Sequence, residues 1–346
     1  MRKIDQSIEI AVSSELRLSS MSLPSREAIR DILAQHYTDV RITIVNDLAD
    51  LERLVDRQPD FVFLGMKYVP GNPHTNGQPS PKIWLSQYLQ DSNISYTGSD
   101  ADAISLELNK HYAKERIIDK HLLTARFAVV KSDTDIAPDE IDLSYPMFVK
   151  PTSGGGGSGI DDDSLVYNFS QLRSKLVSLR LEDAGDVLIE EYLPGREFSV
   201  GILRNENGKG YAIMPIEIVA PVNQSGERFL SNLVKKYDTN LSSLISDSDM
   251  RQRVAMFGMA AFEALGAGDY GRIDIRLDAQ GRPNFLEANL LPSLLNNYGN
   301  FPRTCLLNND MSHEALILQI AKFAADRCVS ANTSVTVPDY LPVYTT

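Results

Sequence analysis

Two short runs in the last quarter of the chain carry the side chains best suited to hold a divalent cation. "RIDIRL" (272–277) and "NFLEAN" (284–289) alternate in character, and the "DAQG" between them is a turn sequence, so an antiparallel hairpin is predicted. With Leu277 set opposite Arg282, Asp274 falls opposite Phe285 and diagonal to Glu287. That register places Asp274, Glu287 and Asn289 on one face. Two carboxylates and an amide oxygen form the kind of donor set Mg²⁺ accepts when phosphate oxygens and water complete its shell. Arg272, two residues before Asp274 on the same face, is suited to clamp a phosphate or a developing oxyanion. A solvated polar face on an exposed hairpin is the competing reading, and Arg272 argues against it.

The second chemical signal is "FVKPTSGGGGSGI" (148–160). A run of glycines is either a slack linker or a loop whose amides must approach something closely. The flank "YPMFVK" is apolar and strand-like, which weakens the linker reading. Gly154, Gly155, Gly156, Gly157 and Ser158 can present backbone N–H groups to phosphate oxygens, with Lys150 adding a positive charge at the strand end. No Gly-Lys-Ser/Thr follows, so this is not a Walker loop, and the formal GxGxxG of Gly154, Gly156 and Gly159 is weak by itself. A third segment, "VLIEEYLPGREF" (187–198), runs an apolar strand into acidic residues and a Pro-Gly turn. It can form a hinge offering backbone groups to a base and carboxylates to hydroxyls, or be an ordinary strand end with exposed glutamates.

Elements must position these residues. "IEIAV" (8–12), "VRITIV" (40–45) and "DFVFLG" (60–65) alternate with helical patterns, which predicts a parallel, helix-covered first domain. Dense in Pro, Gly and Asn, 67–82 is expected as a long irregular loop at the sheet's carboxyl edge. "ADAISLELNKHYAKERIIDKHLL" (101–123) reads as one amphipathic linker helix capped by Ser99 or Asp100. A polar loop is expected over "GERFLSNLVKKYDTN", a long helix over "DMRQRVAMFGMAAFEALGAG", and an extended tail after Ala331. The 346 residues, 43% of them hydrophobic, are enough for two or three compact units. A formal charge of −12 with scattered Lys and Arg excludes a phosphate-neutralising stripe, so nucleic acid is not an expected partner. No stretch is long and apolar enough for a membrane span or signal peptide, and two cysteines make no disulfide framework, so a cytoplasmic location is expected. Five dispersed histidines without HExxH spacing offer no metal cage. Neither cysteine sits in a nucleophile motif, and GxSxG does not occur around Ser158.

Glycine loop, acidic hinge and acidic hairpin, in that order and preceded by "YTGS" (96–99), resemble the ATP-grasp enzymes, and among them the D-alanine–D-alanine ligase-like branch. The resemblance covers roughly 96–289. It implies an α/β fold, α+β in the ATP-grasp part, of three domains: an N-terminal parallel Rossmann-like domain (1–104), a central subdomain with the glycine loop (105–193), a C-terminal subdomain with the hairpin (194–330), and a tail (331–346). Read through the family, Lys110 and Lys150 contact ATP phosphates under the glycine lid. Glu190, with backbone near Glu191 and Leu193, holds adenine, and Glu197 the ribose. Lys236 and Tyr237 belong to a mobile loop closing over the site, Lys236 reaching the γ-phosphate. Asp274, Glu287 and Asn289 bind two Mg²⁺, with Mn²⁺ able to substitute, and Arg272 stabilises the reacting centre. The implied activity joins a carboxylate to an amine, amino acids or dipeptides, through an acylphosphate, giving ADP and phosphate, in a homodimer.

The substrate segments depart from the family. "VSSELRLSSM" replaces a glycine-rich, glutamate-containing turn, "GMKYVPGNPHTNG" an HGxxGED-like loop, Gly156 a serine, and "LLPSLLNNYGNFPRTC" a Ser-His-Ser-type loop. Substrates other than D-alanine are therefore expected, with Ser293, Asn296 and Arg303 as candidate contacts. A D-alanine–D-alanine ligase proper, a carboxylate kinase or cyclase, and a non-catalytic ATP-binding protein remain alternatives.

Overall fold

The structure, a computed structural model, describes residues 2–15, 18–71, 81–137, 140–154, 157–182, 184–223, 226–296 and 298–333. The chain begins with β1 (Ile4–Val12), α1 (Leu23–His36), β2 (Tyr37–Ile44), α2 (Leu48–Asp56) and β3 (Phe61–Leu64). It continues with β4 (Tyr68–Pro70), β5 (Lys82–Trp84), α3 (Leu85–Asp91) and β6 (Ser95–Tyr96). β2, β1, β3 and β6 lie side by side in that order as a parallel sheet. Ile8, Ile10, Val12 and all of Phe61 to Leu64 are buried, as expected of strands covered on both faces. Ser22 and Asp47 cap α1 and α2 by accepting the N–H groups of Ser25 and Asp50, which starts each helix where the sequence places a polar residue.

The segment expected as one irregular loop is partly regular: β4 and β5 pair antiparallel, and the 72–80 stretch between them lies outside the described residues. Alternation of Tyr68, Pro70 with Lys82, Trp84 closes the ladder, and Tyr68 meets Trp84 edge to face. The expected single linker helix is instead two, α4 (Ala101–Leu108) and α5 (Lys110–Asp119). Asp100, not Ser99, caps α4. Asn109 leaves helical geometry where the chain is drawn to the residue after Pro151: the Lys110 N–H donates to Thr152 O at 3.0 Å. The break aims Lys110 at the glycine run.

A second, antiparallel sheet follows from β7 (Phe127–Val130), β8 (Met147–Pro151), β9 (Leu165–Val166), α6 (Phe169–Leu181) and β10 (Val187–Glu191), ordered β7-β10-β8-β9. The third contains β11 (Glu197–Arg204), β12 (Tyr211–Val219), α7 (Asn232–Tyr237), β13 (Leu241–Leu244), α8 (Ser248–Ala264), β14 (Tyr270–Leu277) and β15 (Pro283–Asn289). Its strands run antiparallel in the order β13-β12-β11-β14-β15. α7 occupies what was expected as polar loop. One face of this sheet, Phe198, Val200, Ile202, Ile273, Ile275 and Phe285, is buried under α8 and α5. Gly258 lets α8 lie on Val200, where a Cβ would meet three side-chain atoms at 2.9 Å. α9 (Asn300–Asn309) covers β11 and β12, and α10 (His313–Thr333) returns to pack on α1, β3 and β6 of the first sheet. The extended tail expected at 331–346 is not extended at its start, because α10 carries 331–333 as helix; residues 334–346 lie outside the described residues, and among the described ones no helix is long and apolar enough to cross a membrane.

Candidate active site

The β14–β15 hairpin forms, with a register one step from the expected one. Asp278 accepts the N–H groups of Gln280 and Arg282 on its side chain, Gly281 turns at φ +73°, and Asp278 N–H bonds to Arg282 O. The loop is thus closed by Asp278 and Arg282, and Leu277 pairs with Pro283 rather than Arg282. Ile275 then pairs with Phe285, and a bulge at Leu286 sets Asp274 directly opposite Glu287 and Arg272 opposite Asn289. The bulge brings the two carboxylates closer than the diagonal arrangement expected from an unbroken ladder.

Neighbouring β11 adds Ser199 opposite Asp274, Gly201 opposite Arg272 and Glu197 opposite Arg276. Asp274, 4% exposed, accepts from Ser199 Oγ at 2.7 Å on Oδ1, and on Oδ2 from Arg272 Nη2 at 2.9 Å and Asn289 Nδ2 at 3.4 Å. Burial works against the Arg272 charge, but Asp274, and beyond it Glu287 and Glu107, outweigh it and hold the guanidinium firmly protonated. Arg276 donates to Tyr192 Oη at 2.8 Å and to Arg228 O at 2.7 Å, and lies 3.2 Å from Glu197. Tyr192 donates in turn to Glu227, and burial pushes its phenol up to about 12.

Across the cleft stands a buried charge cluster. Glu190 reaches Lys114 Nζ at 2.5 Å through Oε1 and Lys150 Nζ at 2.6 Å through Oε2, with all three side chains at most 6% exposed. Lys114 also donates to Thr124 Oγ1 at 2.5 Å. For Glu190 the desolvation that would raise its pKa is overcome by the two ammonium groups, and the carboxyl is held below its ordinary range. Desolvation wins at Lys114, which is lowered, and loses at Lys150, raised by Glu190 and Glu287. Lys110 Nζ donates to Gly154 O at 2.7 Å. Gly154 and Gly157 take positive φ, while Gly155 and Gly156 lie outside the described residues. Lys175, buried on α6, pairs with Asp161 at 2.7 Å, and Asp161 caps the 3-10 turn Asp162–Ser164 that ends the loop.

Lys150, Glu190, Glu191, Leu193, Glu197, Asp274 and Glu287 line one cleft, roofed by Phe148, Ile160 and Phe229, with the two phenylalanines edge to face at 5.2 Å. The Glu191 N–H is used by Arg126 O, and its side chain pairs with Arg126. The following candidates are not among the described residues lining this cleft. Arg303 makes a bidentate pair with Asp238, tying α9 to the end of α7, so both its η nitrogens are engaged. Ser293 Oγ accepts from Leu295 N–H, Ser158 and Asn296 are exposed, Tyr237 is 65% exposed at the end of α7, and the Lys236 side chain lies outside the described residues.

The residues fit a phosphate-bound Mg²⁺ better than a free one. Among the described residues no group of three or more His, Cys, Asp or Glu gathers as a cage, so the protein offers two carboxylates and one amide, and six-coordination needs outside oxygens. Asn289 shows its nitrogen to Asp274, and service as an oxygen ligand requires the amide to turn over. Sequence reasoning missed Lys114, Ser199 and Arg276. Lys114 lies one turn after Lys110, and Ser199 and Arg276 continue the alternation of Glu197 and of Arg272 and Asp274; those spacings were the available signal.

The profile of the family described as D-ala D-ala ligase C-terminus matches residues 121–322. The chain is 32% identical over 240 residues to a D-alanine–D-alanine ligase of Pediococcus pentosaceus, covering 68% of this chain and 61% of that protein. It is 26% identical over 285 residues to D-alanine–D-alanine ligase B of Clostridium perfringens, covering 82% and 86%. The first of these matches thus spans about three-fifths of the relative's length. In overall fold the chain is similar to D-alanine–D-alanine ligase from Bacillus anthracis complexed with ATP, with TM-score 0.71, 21% identity, and coverage of 94% and 99%.

Proposed function

Because the chain belongs to the D-ala D-ala ligase C-terminus family, an ATP-grasp family, we propose that it is an ATP- and Mg²⁺-dependent ligase joining a carboxylate to an amine through an acylphosphate. The observation that carries this reading is the convergence of Arg272, Asp274, Glu287 and Asn289 on one sheet face, across a cleft from the buried Lys114–Glu190–Lys150 cluster.

In this reading the aromatic roof and Glu190 with Leu193 receive adenine, and Glu197 the ribose. Lys110, Lys150 and the amides of the 154–158 loop hold the phosphates. Asp274, Glu287 and Asn289 would hold Mg²⁺, which would supply charge neutralisation along the phosphate chain. The residues themselves orient the γ-phosphorus toward a substrate carboxylate, and positioning is the main catalytic demand of such a transfer. Arg272, held cationic in its buried setting, stabilises negative charge as an amine attacks the acylphosphate. Lys236 and Tyr237 close the site against water, which would otherwise hydrolyse that intermediate. The divergent 67–82 and 290–303 segments support a substrate pair other than two D-alanines.

The test is phosphate release from Mg·ATP against a matrix of paired D- and L-amino acids and small carboxylic acids, with Glu287→Gln as control. Release that requires one pair, disappears in the variant and accompanies an amide product is the expected result. Release with a single acid would replace the ligase by a kinase or cyclase, and ATP binding with no release from any mixture would overturn the enzymatic reading.

A further inference from the structure

Arg272 and Glu107 each keep one buried polar atom without a hydrogen-bond partner among the described residues, the guanidinium Nε and the carboxylate Oε2. Their side chains are only 13% and 6% exposed, so bulk water does not serve these atoms, and unpaired buried groups of this kind call for an explanation. The elements that carry them adjoin. Glu107 lies in the last turn of α4, α4 packs on β15, and Asn289 of β15 stands opposite Arg272. The Glu107 charge is felt at the guanidinium. Its other oxygen is already anchored, because Lys67 Nζ donates to Oε1 at 2.6 Å from the segment that follows β3.

Arg272 meanwhile donates Nη2 to Asp274 Oδ2, an oxygen that a cation bound at the hairpin would need. A guanidinium and a divalent ion do not share one carboxylate oxygen comfortably, since their positive charges repel in a poorly hydrated site. An arginine displaced from Asp274 needs another acceptor, and Glu107 Oε2 is buried and unpaired among the described residues.

We propose that Arg272 has two stations, Asp274 when the hairpin holds no metal and Glu107 Oε2 when it does, with Glu107 acting as a positioning residue and Lys67 as its anchor. The proposal rests on the metal assignment made above. In the second station the orphaned Nε and Oε2 pair with each other, Asp274 Oδ2 is freed for a cation while Oδ1 keeps its bond from Ser199, and Arg272 stays beside the reacting centre.

The experiment titrates Mg²⁺ into the full chain at fixed ADP and reads ADP affinity by calorimetry, for the unaltered chain, Glu107→Gln and Glu287→Gln. Glu107→Gln can keep its bond to Lys67 but offers no second anion. It is expected to raise the Mg²⁺ needed for half of the effect about tenfold, the equivalent of one charge-assisted hydrogen bond, with ADP affinity in the absence of Mg²⁺ unchanged. A purely structural role for Glu107 would move both affinities together and would overturn the proposal, as would an unchanged Mg²⁺ dependence. If Glu287→Gln abolishes the Mg²⁺ effect and Glu107→Gln does not shift it, the two-station idea alone fails; if Glu287→Gln is also without effect, the metal assignment fails and the proposal with it. Should Glu107→Gln not fold by its melting curve, Glu107→Asp, which keeps the charge and shortens the reach, is expected to shift Mg²⁺ dependence in the same direction by a smaller factor, and no shift overturns the proposal.

Discussion

Replacing Glu190 by Gln keeps the shape of the side chain and removes the charge that separates two buried lysines. Lys114 and Lys150 each lie within 2.6 Å of one carboxylate oxygen, so their nitrogens are no more than roughly 7 Å apart. At an effective dielectric near 20, two unit charges at about 7 Å repel by about 2.4 kcal/mol. Loss of a buried partner adds desolvation no longer compensated, and breaking such pairs costs about 3–5 kcal/mol. The amide oxygen still accepts from one lysine, which sets the expectation at the lower end, about 3 kcal/mol. With a urea dependence of about 3 kcal/mol per molar, the unfolding midpoint followed by circular dichroism is expected to fall by about 1 M. The pH dependence gives a second check. Lys114, already lowered by burial, is the group that gives up its proton first in the variant. Its folded pKa then lies further below 10.5, the unfolded state binds more protons, and stability rises with pH between the two values. The variant's deficit is therefore expected to shrink as pH rises toward 10, about the ordinary lysine value. A midpoint within 0.3 M of the unaltered chain at pH 7, or a deficit that does not narrow at alkaline pH, would refute the reasoning, since about 1 kcal/mol is the most such a small shift allows.

Two further outcomes follow from packing and burial. Gly201→Ala places a Cβ 1.9 Å from Thr304 Oγ1 on α9, and with Thr304 fully buried the helix has to move off the sheet. Overpacking of this kind costs about 1–3 kcal/mol, and because Gly201 lies opposite Arg272, ADP affinity at saturating Mg²⁺ is expected to change along with the melting temperature. Cys305, buried with its thiol pushed up to about 12, has almost no thiolate at pH 8. Iodoacetamide is expected to label the partly exposed Cys328 well before Cys305, as read by peptide mass mapping.

Short-range features of the fold were legible in the sequence because their causes are short-range. Alternation fixed which side chains of 272–277 and 284–289 share a face, the helix start at Ser99 or Asp100 was marked by polar residues suited to cap it, and the parallel first sheet followed from apolar strands spaced by helices. The gathering of Asp274, Glu287, Asn289 and Arg272 was readable for the same reason: a hairpin joins its two strands within a few residues.

Where a partner lies far along the chain, only the tertiary structure decides. Leu286 bulges out of the ladder, which alternation alone does not announce, and this puts Asp274 opposite Glu287. The linker helix breaks at Asn109 because Thr152 competes for the next amide. Lys114, an ordinary helical lysine by sequence, becomes a fully buried ion because β10 brings Glu190 against α5 from more than seventy residues away. Arg303 looks open to a substrate until Asp238 takes it. The sequence by itself determined which donors and charges this protein carries and which of them share a strand or a turn. The tertiary structure decided which of those charges neutralise one another, because the Coulomb energy and desolvation of a buried group depend on neighbours in space rather than along the chain.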